Sequence, residues 1–255
     1  ADFEAAGATI VGSAAEAFAA DLVLKVQRPT AEEAALLREG TALVSFLAPA
    51  ASADLLGALA GRKVTAFAME LVPRTTKAQS MDALSSQATI AGYKAILVGA
   101  DAMGRILPML TTAAGTLAPA KVFVIGAGVA GLQAIATARR LGGIVSAFDV
   151  RAVVREQVQS LGASFVEVAA VEGEGQGGYA KELAEEQQRR VVAGIGEHAK
   201  GQDLIITTAQ IPGRPAPRLI TAEAVRAMKP GSVIVDLAGE SGGNCELTTF
   251  GETVT

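Results

Sequence analysis

Short apolar runs alternate along the chain with longer segments in which apolar residues recur at helical spacing. Eight runs have the length and apolar content of buried strands: Leu22–Val26, Ala42–Phe46, Val64–Met69, Lys121–Ile125, Ile144–Phe148, Ser164–Val168, Asp203–Thr207 and Ser232–Leu237. Helical spacing is found at Ala31–Arg38, Ser52–Leu59, Ala130–Leu141, Ala152–Leu161, Tyr179–Ala199 and Ala222–Met228. Strands that alternate with helices predict parallel sheets built from β-α-β units, and therefore an α/β fold.

This alternation is interrupted once, between about Gln79 and Ala100. The interruption predicts a domain boundary, with a first α/β domain over residues 1–90 and a second over residues 91–255. The chain opens with "ADFEAAGATIVG", without an initiator Met and as though within a domain. We therefore expect the sequence to be a fragment, truncated at both ends.

Composition narrows the class of protein. Hydrophobic residues make up 50% of the chain, aromatic residues only 4%, and 28 residues are glycine, which suits close packing of helices on sheets. The net charge of −4 gives no indication of nucleic-acid binding. With Cys245 the only cysteine and His198 the only histidine, an internal disulfide is excluded and a zinc site is not expected. We expect Cys245 to be buried and His198 to be a solvated surface residue.

The stretch "KVFVIGAGVAGLQAIATARRLGG" contains Gly126, Gly128 and Gly131 in G-x-G-x-x-G spacing. An apolar strand precedes the glycines and a helical pattern follows them, as in the Rossmann fold. In that fold the first glycine permits the tight turn, the second lets the backbone approach a pyrophosphate, and the third lets helix and strand pack closely. The context predicts dinucleotide binding by a doubly wound second domain; a glycine turn kept only for packing is the alternative.

The next strand, "GIVSAFD", ends at Asp149, 18 residues after Gly131. A carboxylate at this position can accept both ribose hydroxyls and would repel a 2′-phosphate, which favours NAD(H) over NADP(H). Arg151 lies two residues further on and could accommodate such a phosphate, so the sequence leaves the preference partly open.

Polar side chains are concentrated in "PRTTKAQSMDALSSQ", Pro73–Gln87. A helix that begins at Gln79 would carry one apolar stripe: Met81, Leu84, Ala88, Ala91 and Ala95. Gln79, Asp82 and Ser86 would then lie on a different face, with Ser85 beside Asp82, and Arg74 would lie in the loop that precedes the helix. Because ligands bind beyond the carboxyl ends of strands in open α/β sheets, this segment predicts a ligand site. The alternative is an ordinary solvated helix face.

These segments resemble one family, the NAD(H)-binding domain (domain I) of the proton-translocating NAD(P) transhydrogenase α subunit. The resemblance is carried by "MELVPRTTKAQSMDALSSQATIAGYKA", the glycine-turn segment, "FDVRAVVREQVQSLGA", "GGYAKEL", "TTAQIPGRPAP" and "VIVDLAGESGGNCELT". It implies two Rossmann-like domains, NAD(H) as cofactor, and hydride transfer to NADP(H) on a partner domain. It also implies proton translocation in a membrane domain, a homodimer, and a location on the cytoplasmic face of the inner membrane or on the mitochondrial matrix side.

The resemblance also implies roles for individual residues. Arg74, Asp82 and Ser85 would hold the nicotinamide carboxamide, and Gln79 would reach toward the nucleotide of the partner domain. At the other end of the cofactor, Asp149 would bind the adenosine ribose and Val129 would line the pyrophosphate turn. Gly178 and Tyr179 would belong to a mobile loop that closes over NAD(H).

Alanine dehydrogenase is a related alternative, because "LVLKVQRP", which contains Lys25, is similar to a segment of that enzyme. Alanine dehydrogenase needs a catalytic His and an Asp. The stretch of this chain that corresponds to the histidine segment, "VSFLAPA", has no His. Where the nucleotide domain of alanine dehydrogenase carries an acid before a pair of glycines, this chain has "GESGGN", with Glu240 and Ser241. We therefore expect Lys25 to be structural. A non-enzymatic NAD-binding module is a further alternative.

Overall fold

The computed structural model describes residues 2–73, 75–168, 185–211 and 213–255. The chain divides into two compact units, Ala1–Leu84 and Ser85–Thr255. The first unit ends a little before the predicted boundary at residue 90, so nearly all of the long helix that follows lies with the second unit. None of the described helices combines the length and apolar character that a membrane crossing requires.

The first unit contains a three-stranded parallel sheet in the order β1-β2-β3. Its strands are β1 (Leu22–Leu24), β2 (Ala42–Ser45) and β3 (Thr65–Ala68). Its helices are α1 (Asp2–Ala5), α2 (Ala14–Phe18), α3 (Ala31–Leu36) and α4 (Ala53–Gly61). A capping box starts α3, because Thr30 and Glu33 satisfy each other's backbone N–H groups. The core of this unit consists of Phe18, Val23, Ala34, Leu37, Leu43, Leu47 and Leu59.

The second unit contains a five-stranded parallel sheet in the order β10-β9-β6-β7-β8. Its strands are β6 (Lys121–Ile125), β7 (Ile144–Phe148), β8 (Ser164–Phe165), β9 (Leu204–Thr207) and β10 (Val233–Asp236), and a separate hairpin pairs β4 (Leu110–Thr112) with β5 (Gly115–Leu117). Its helices are α5 (Ala83–Ala102), α6 (Val129–Arg140), α7 (Arg155–Ser160), α8 (Glu185–Ala199) and α9 (Ala222–Arg226). The predicted α/β class with parallel sheets is confirmed, and the strand order is that of a doubly wound fold.

Both faces of this sheet are buried, which explains the continuous apolar runs in the sequence. On β6, Val122 and Val124 contribute to the core on one face, and Phe123 and Ile125 contribute to the core on the other. All four side chains are fully buried. A strand covered by helices on both sides has no polar face, so its apolar residues follow one another without alternation.

The helix predicted to begin at Gln79 is wrong in its start, and of its predicted apolar stripe only Ala95 is buried. Residues Thr76–Met81 form a 3₁₀ helix, Asp82 follows it, and α5 begins only at Ala83. The buried positions of α5 are Gly92, Ala95, Ile96 and Gly99. A Cβ at Gly92 would lie 2.0 Å from the Ala130 carbonyl oxygen, so close backbone contact with α6 selects this face. The sequence of α5 is rich in small residues and gives little hydrophobic contrast by which a face could be predicted.

A buried carboxylate fastens the amino ends of the strands. Asp203 accepts the Lys121 backbone N–H through Oδ2 at 2.8 Å, and its Oδ1 lies 3.2 Å from both Arg105 Nη1 and Lys229 Nζ. Burial acts to raise the pKa of Asp203, but the Lys121 hydrogen bond and the two cations outweigh it and hold the pKa below its usual range. One side chain therefore joins four segments of the chain at this end of the sheet.

The expectation that His198 is a solvated surface residue is wrong. This residue of α8 is half-buried, its Nε2 lies 2.8 Å from Ser146 Oγ and 3.2 Å from Gln202 Nε2, and its ring meets that of Phe123 edge-on. Burial, and then the charge of Lys121, lower the pKa of His198. The sequence shows that His198 lies on a helix, but not that this side of the helix covers the sheet.

Candidate functional site

The order of strands creates a crevice at one edge of the sheet in the second unit. β7 and β9 lie on opposite sides of β6, so the loops that leave β6 and β9 run in opposite directions. Open α/β sheets bind ligands at such a switch point, beyond the carboxyl ends of the strands. The glycine turn follows β6 at this edge, and the loop that begins at Thr208 follows β9.

Two of the three motif glycines are required by the fold itself. Gly126 has a φ of 95°, which glycine adopts without strain, and a Cβ there would lie 2.5 Å from Thr208 Oγ1. A Cβ at Gly131 would lie 1.8 Å from the Gly126 carbonyl oxygen, so any side chain at this position would separate α6 from the turn. These two positions agree with the turn and packing roles predicted from the spacing.

Gly128 differs from the other two. Its φ is −79°, which any residue can adopt, and within the described part of the chain no atom beyond its two chain neighbours lies within 4 Å of the position where a Cβ would be. Gly128 is the N-cap of α6, and Val129, the first residue of the helix, is partly exposed. The start of this helix, with its free N–H groups and positive dipole end, therefore faces open space over a residue that has no side chain.

Asp149 lies beside the glycine turn and is saturated with hydrogen bonds. Its Oδ2 accepts the Ala127 backbone N–H at 2.7 Å and Arg151 Nη2 at 2.8 Å. Its Oδ1 accepts the backbone N–H and Nε of Arg151, both at 2.9 Å. The predicted position of this carboxylate at the turn is therefore observed, and the ion pair with Arg151 is a feature that the spacing did not predict.

Asn244, which the sequence reasoning missed, shapes the opposite wall of the crevice. Its side chain is fully buried, accepts the Ala209 N–H at 3.0 Å, and donates to the carbonyls of Ala209 and Pro217 at 2.9 and 2.8 Å. Thr208, beside Ala209, donates to the Gly126 carbonyl at 3.0 Å. Asn244 thus holds the loop after β9, and Thr208 joins that loop to the glycine turn.

The loop that carries Asn244 is itself held by Asp236, the last residue of β10. Asp236 Oδ2 accepts the backbone N–H groups of Asn244 and Cys245 and the hydroxyl of Thr248, and Oδ1 accepts from Thr207. An Asp at a strand end, followed by the Gly-Gly-Asn sequence of a tight loop, was the signal available in the sequence. It indicates a polar turn, but it does not reveal which loop Asn244 reaches.

The residues predicted for the nicotinamide end are placed only in part. Gln79 is exposed in the 3₁₀ helix, Asp82 follows that helix, and Ser85 lies in the first turn of α5. Arg74, Gly178 and Tyr179 lie outside the described residues. The convergence of these residues on the crevice stays a prediction.

Two remaining side chains, and the search for a metal site, bear on the alternative chemistries. Cys245 is buried as predicted, and burial raises the pKa of its thiol, which makes it a poor nucleophile. Lys25 forms an ion pair with Glu33 at 3.0 Å, in agreement with a structural role. Among the described residues, no group of three or more His, Cys, Asp or Glu side chains could hold a metal ion.

Two family models match consecutive parts of the chain. The N-terminal domain model of alanine dehydrogenase/PNT matches residues 1–91, and the C-terminal domain model matches residues 95–255. The chain belongs to the alanine dehydrogenase/PNT family. The resemblance inferred from the sequence motifs is thereby confirmed, and the fold of this family is one that binds pyridine nucleotides.

Relatives in this family include a transhydrogenase subunit and two solved structures. The chain is 54% identical to the first part of NAD(P) transhydrogenase subunit alpha from Rhodospirillum rubrum, over 98% of this chain and 67% of that protein. It is 52% identical to a transhydrogenase from Sinorhizobium meliloti, with a TM-score of 0.80 over 96% of this chain and 66% of that one. An L-alanine dehydrogenase matches with 29% identity and a TM-score of 0.73, over 97% of this chain and 64% of that one. The chain spans about two thirds of the length of each.

Proposed function

We propose that this chain is the NAD(H)-binding component of a proton-translocating nicotinamide nucleotide transhydrogenase. The crevice of the second unit holds NAD(H), and hydride passes between this nucleotide and NADP(H) on a partner domain. The similarity to transhydrogenases from two organisms supports this proposal over a general dehydrogenase function. In the complete enzyme, hydride transfer is coupled to proton translocation in a membrane domain.

The observation that carries nucleotide binding is the open space at Gly128. A glycine turn kept for packing explains Gly126 and Gly131, since a side chain at either would collide with neighbouring atoms. It does not explain Gly128, where neither packing nor backbone conformation requires glycine. A pyrophosphate on the first turn of α6 supplies the missing reason, because it needs the backbone N–H groups uncovered and an unobstructed approach.

The position of Asp149 supports NAD(H) as the nucleotide. A carboxylate at the end of β7, fixed to the glycine turn through the Ala127 N–H, lies where the adenosine ribose follows the pyrophosphate in this fold. Its oxygens accept the ribose hydroxyls of NAD(H), whereas a 2′-phosphate would bring a second negative charge against them.

Bound NAD(H) supplies the nicotinamide carbon that gives or takes the hydride. The residues of this chain bind and orient the ring: Arg74, Asp82 and Ser85 hold its carboxamide, and Gln79 faces the partner domain. Direct passage between two nicotinamides needs no proton carrier from the protein, so the chain needs no general acid or base at this site. Gly178 and Tyr179 close over the nucleotide and exclude water.

The proposed assembly follows from the same function. The chain acts as a homodimer together with the NADP(H)-binding domain and the membrane domain, and it lies on the cytoplasmic face of the inner membrane or on the mitochondrial matrix side. The alternative of an alanine dehydrogenase is less well supported. The "VSFLAPA" segment has no histidine, and Lys25 is engaged by Glu33.

Gly128→Ala tests the nucleotide site, with Gly104→Ala as a matched control. Both glycines have open space at the Cβ position and a φ outside the left-handed region, so neither substitution should harm the fold. We expect Gly128→Ala to weaken NADH binding about tenfold or more, as loss of close contact with a charged group would. Gly104→Ala should bind as the unmodified chain does. Equal NADH affinity in both variants would contradict the proposed site.

Two assays separate the transhydrogenase from its alternatives. We expect hydride transfer from NADH to an NADP⁺ analogue only when the NADP(H)-binding partner domain is present. Oxidation of NADH with pyruvate and ammonium would instead identify an alanine dehydrogenase. NADH binding without turnover in either assay, with an active partner domain, would identify a binding module.

A further inference from the structure

The carboxylate expected to bind the ribose is already occupied by the protein itself. A carboxylate has about four lone-pair directions, and four donors fill them at Asp149: the Ala127 N–H, and the backbone N–H, Nε and Nη2 of Arg151. Asp149 is 6% exposed and Arg151 14% exposed, so solvent screens their ion pair little. Ribose hydroxyls therefore cannot be accepted until some of these donors leave.

The four donors differ in their ability to leave. The Ala127 N–H belongs to the glycine turn, and the Arg151 N–H is part of the backbone that follows β7, so both are fixed by the fold. The Nε and Nη2 atoms of Arg151 are at the end of a long side chain that can adopt other rotamers. Only this guanidinium group can uncover Asp149 without movement of the main chain.

The ion pair between Asp149 and Arg151 does not itself connect distant segments. Asp149 and Arg151 are two residues apart, so their ion pair links no distant segments, whereas the Ala127 N–H joins Asp149 to the turn after β6 over 22 residues. The direct effect of this ion pair is on the capacity of Asp149 to accept further hydrogen bonds. A ribose hydroxyl that donates a hydrogen bond to Asp149 must therefore compete with the guanidinium group of Arg151.

We propose that Arg151 is a specificity-determining residue that latches Asp149 in the free protein and must be displaced when NAD(H) binds. This inference rests on the proposed nucleotide site. While the latch is closed, it lowers the affinity for the ribose hydroxyls, because binding must open an ion pair. It also neutralises the charge that would repel a 2′-phosphate, and a displaced guanidinium can meet that phosphate. Arg151 thus weakens discrimination between NAD(H) and NADP(H).

Arg151→Met tests the latch, because methionine keeps an unbranched aliphatic stem and removes the charge and the side-chain donors. The dissociation constants of NADH and NADPH are measured on the same preparations by fluorescence titration. We expect NADH to bind several-fold more tightly and the ratio of the NADPH constant to the NADH constant to rise about tenfold or more. The ratio is insensitive to partial unfolding, since an unfolded fraction affects both titrations equally.

Arg155→Met is the matched control. Arg155 also follows β7, but it pairs with the exposed Glu167 at 2.9 Å and lies over the ring of Phe165. This variant removes the same charge from the same region and should leave the ratio unchanged. Arg151→Lys keeps the positive charge but replaces the two-pronged guanidinium by one ammonium group. NADH should therefore bind more tightly to this variant than to the unmodified chain, while the ratio of the NADPH and NADH dissociation constants should change little.

The two proposals fail in different ways. If the unmodified chain binds neither nucleotide, the proposed function is wrong. If the unmodified chain binds NADH but Arg151→Met does not bind it more tightly, or does not raise the ratio above that of Arg155→Met, the latch alone is wrong. If Arg151→Met does not fold, the NADH affinity of Arg151→Lys decides. If Arg151→Lys does not bind NADH more tightly than the unmodified chain does, the latch is wrong.

Discussion

The two ends of the sheet in the second unit each hold a buried aspartate, and the two aspartates are surrounded differently. Asp203, at the amino ends of β6 and β9, and Asp149, at the carboxyl end of β7, are both 6% exposed. Asp203 accepts from Lys121, Arg105 and Lys229, which are 82, 98 and 26 residues away. Three of the four donors to Asp149 come from a residue two positions along the chain.

This difference separates a structural carboxylate from one that is available for binding. Because the donors to Asp203 come from three distant segments, the rotation of any single side chain leaves the other two donors in place. Asp149 is held by two backbone N–H groups, those of Ala127 and Arg151, and its two remaining donors belong to a single side chain. Burial and charge alone would assign the same role to both residues, whereas the origin of their donors distinguishes them.

The largest effect on stability and binding is expected from Asn244, at the carboxyl ends of the strands. There the stability of the fold and the proposed nucleotide binding depend on the same loop, the one that follows β9. Asn244→Ala leaves the N–H and carbonyl of Ala209 and the carbonyl of Pro217 without their buried partner. We expect a loss of about 3 kcal/mol in the free energy of unfolding, together with weaker NADH binding. Urea denaturation and nucleotide titration measure the two effects.

Gln210→Ala provides the control for that substitution. Gln210 is an exposed amide in the same loop and makes one long hydrogen bond, 3.4 Å, to the Leu237 carbonyl. It should change the unfolding free energy by less than about 0.5 kcal/mol. Similar losses in the two variants would show that the buried amide of Asn244 does not hold this wall.

Asp203→Asn should affect stability without affecting binding. The substitution removes the charge that faces Arg105 and Lys229, but both cations are nearly half exposed and can turn to solvent. We therefore expect a loss of about 2 kcal/mol in the free energy of unfolding, with NADH affinity unchanged when measured well below the transition. A change in NADH affinity as large as that caused by Asp149→Asn would remove the distinction between the two ends.

Asp149→Asn should give the reverse result. The amide retains an acceptor for the Ala127 N–H, so we expect the unfolding free energy to fall by only about 1 kcal/mol. NADH binding should weaken by about tenfold, because the ribose hydroxyls lose a charged acceptor. Calorimetric titration and urea denaturation on one preparation provide both values, and a dominant effect on stability would place Asp149 with Asp203.

The smallest effect concerns pH. The folded chain holds His198 neutral with a lowered pKa, so the unfolded chain takes up the proton first as the pH falls below about 6.5. Stability should therefore decrease by up to about 1 kcal/mol between pH 7 and pH 5, and His198→Gln should remove this dependence. Asp203, whose pKa is lowered, contributes stability that is lost only at more acidic pH, below about 4.

Thermal or urea unfolding of the His198→Gln variant at several pH values tests both windows. The loss below pH 4 should persist in this variant and become smaller in Asp203→Asn, where Glu33, whose pKa is also lowered, still contributes. An unfolding free energy that changes equally with pH in the unmodified chain and in His198→Gln would contradict the burial of a neutral imidazole.

The sequence alone determined the features that depend on neighbouring residues. Runs of apolar residues between helical segments predicted parallel strands, and all five strands of the larger sheet in the second unit form within the predicted runs, although β8 is shorter. The β4-β5 hairpin was not predicted. The glycine spacing placed a turn between β6 and α6, and the strand end placed Asp149 after β7. Periodicity, turn formation and strand ends are local properties, so they can be recognised before the chain is folded.

Only the tertiary structure decided which polar groups meet. The buried face of α5 depends on contact with Ala130, Asn244 reaches a loop 35 residues away, and His198 meets Ser146 across 52 residues. Even the ion pair of Asp149 with Arg151, close in sequence, depends on the backbone direction after β7, since an arginine two residues on could equally point away. These contacts are set by packing between segments, and no local pattern specifies them, which is why the sequence suggested a ribose carboxylate and only the structure showed the ion pair that occupies it.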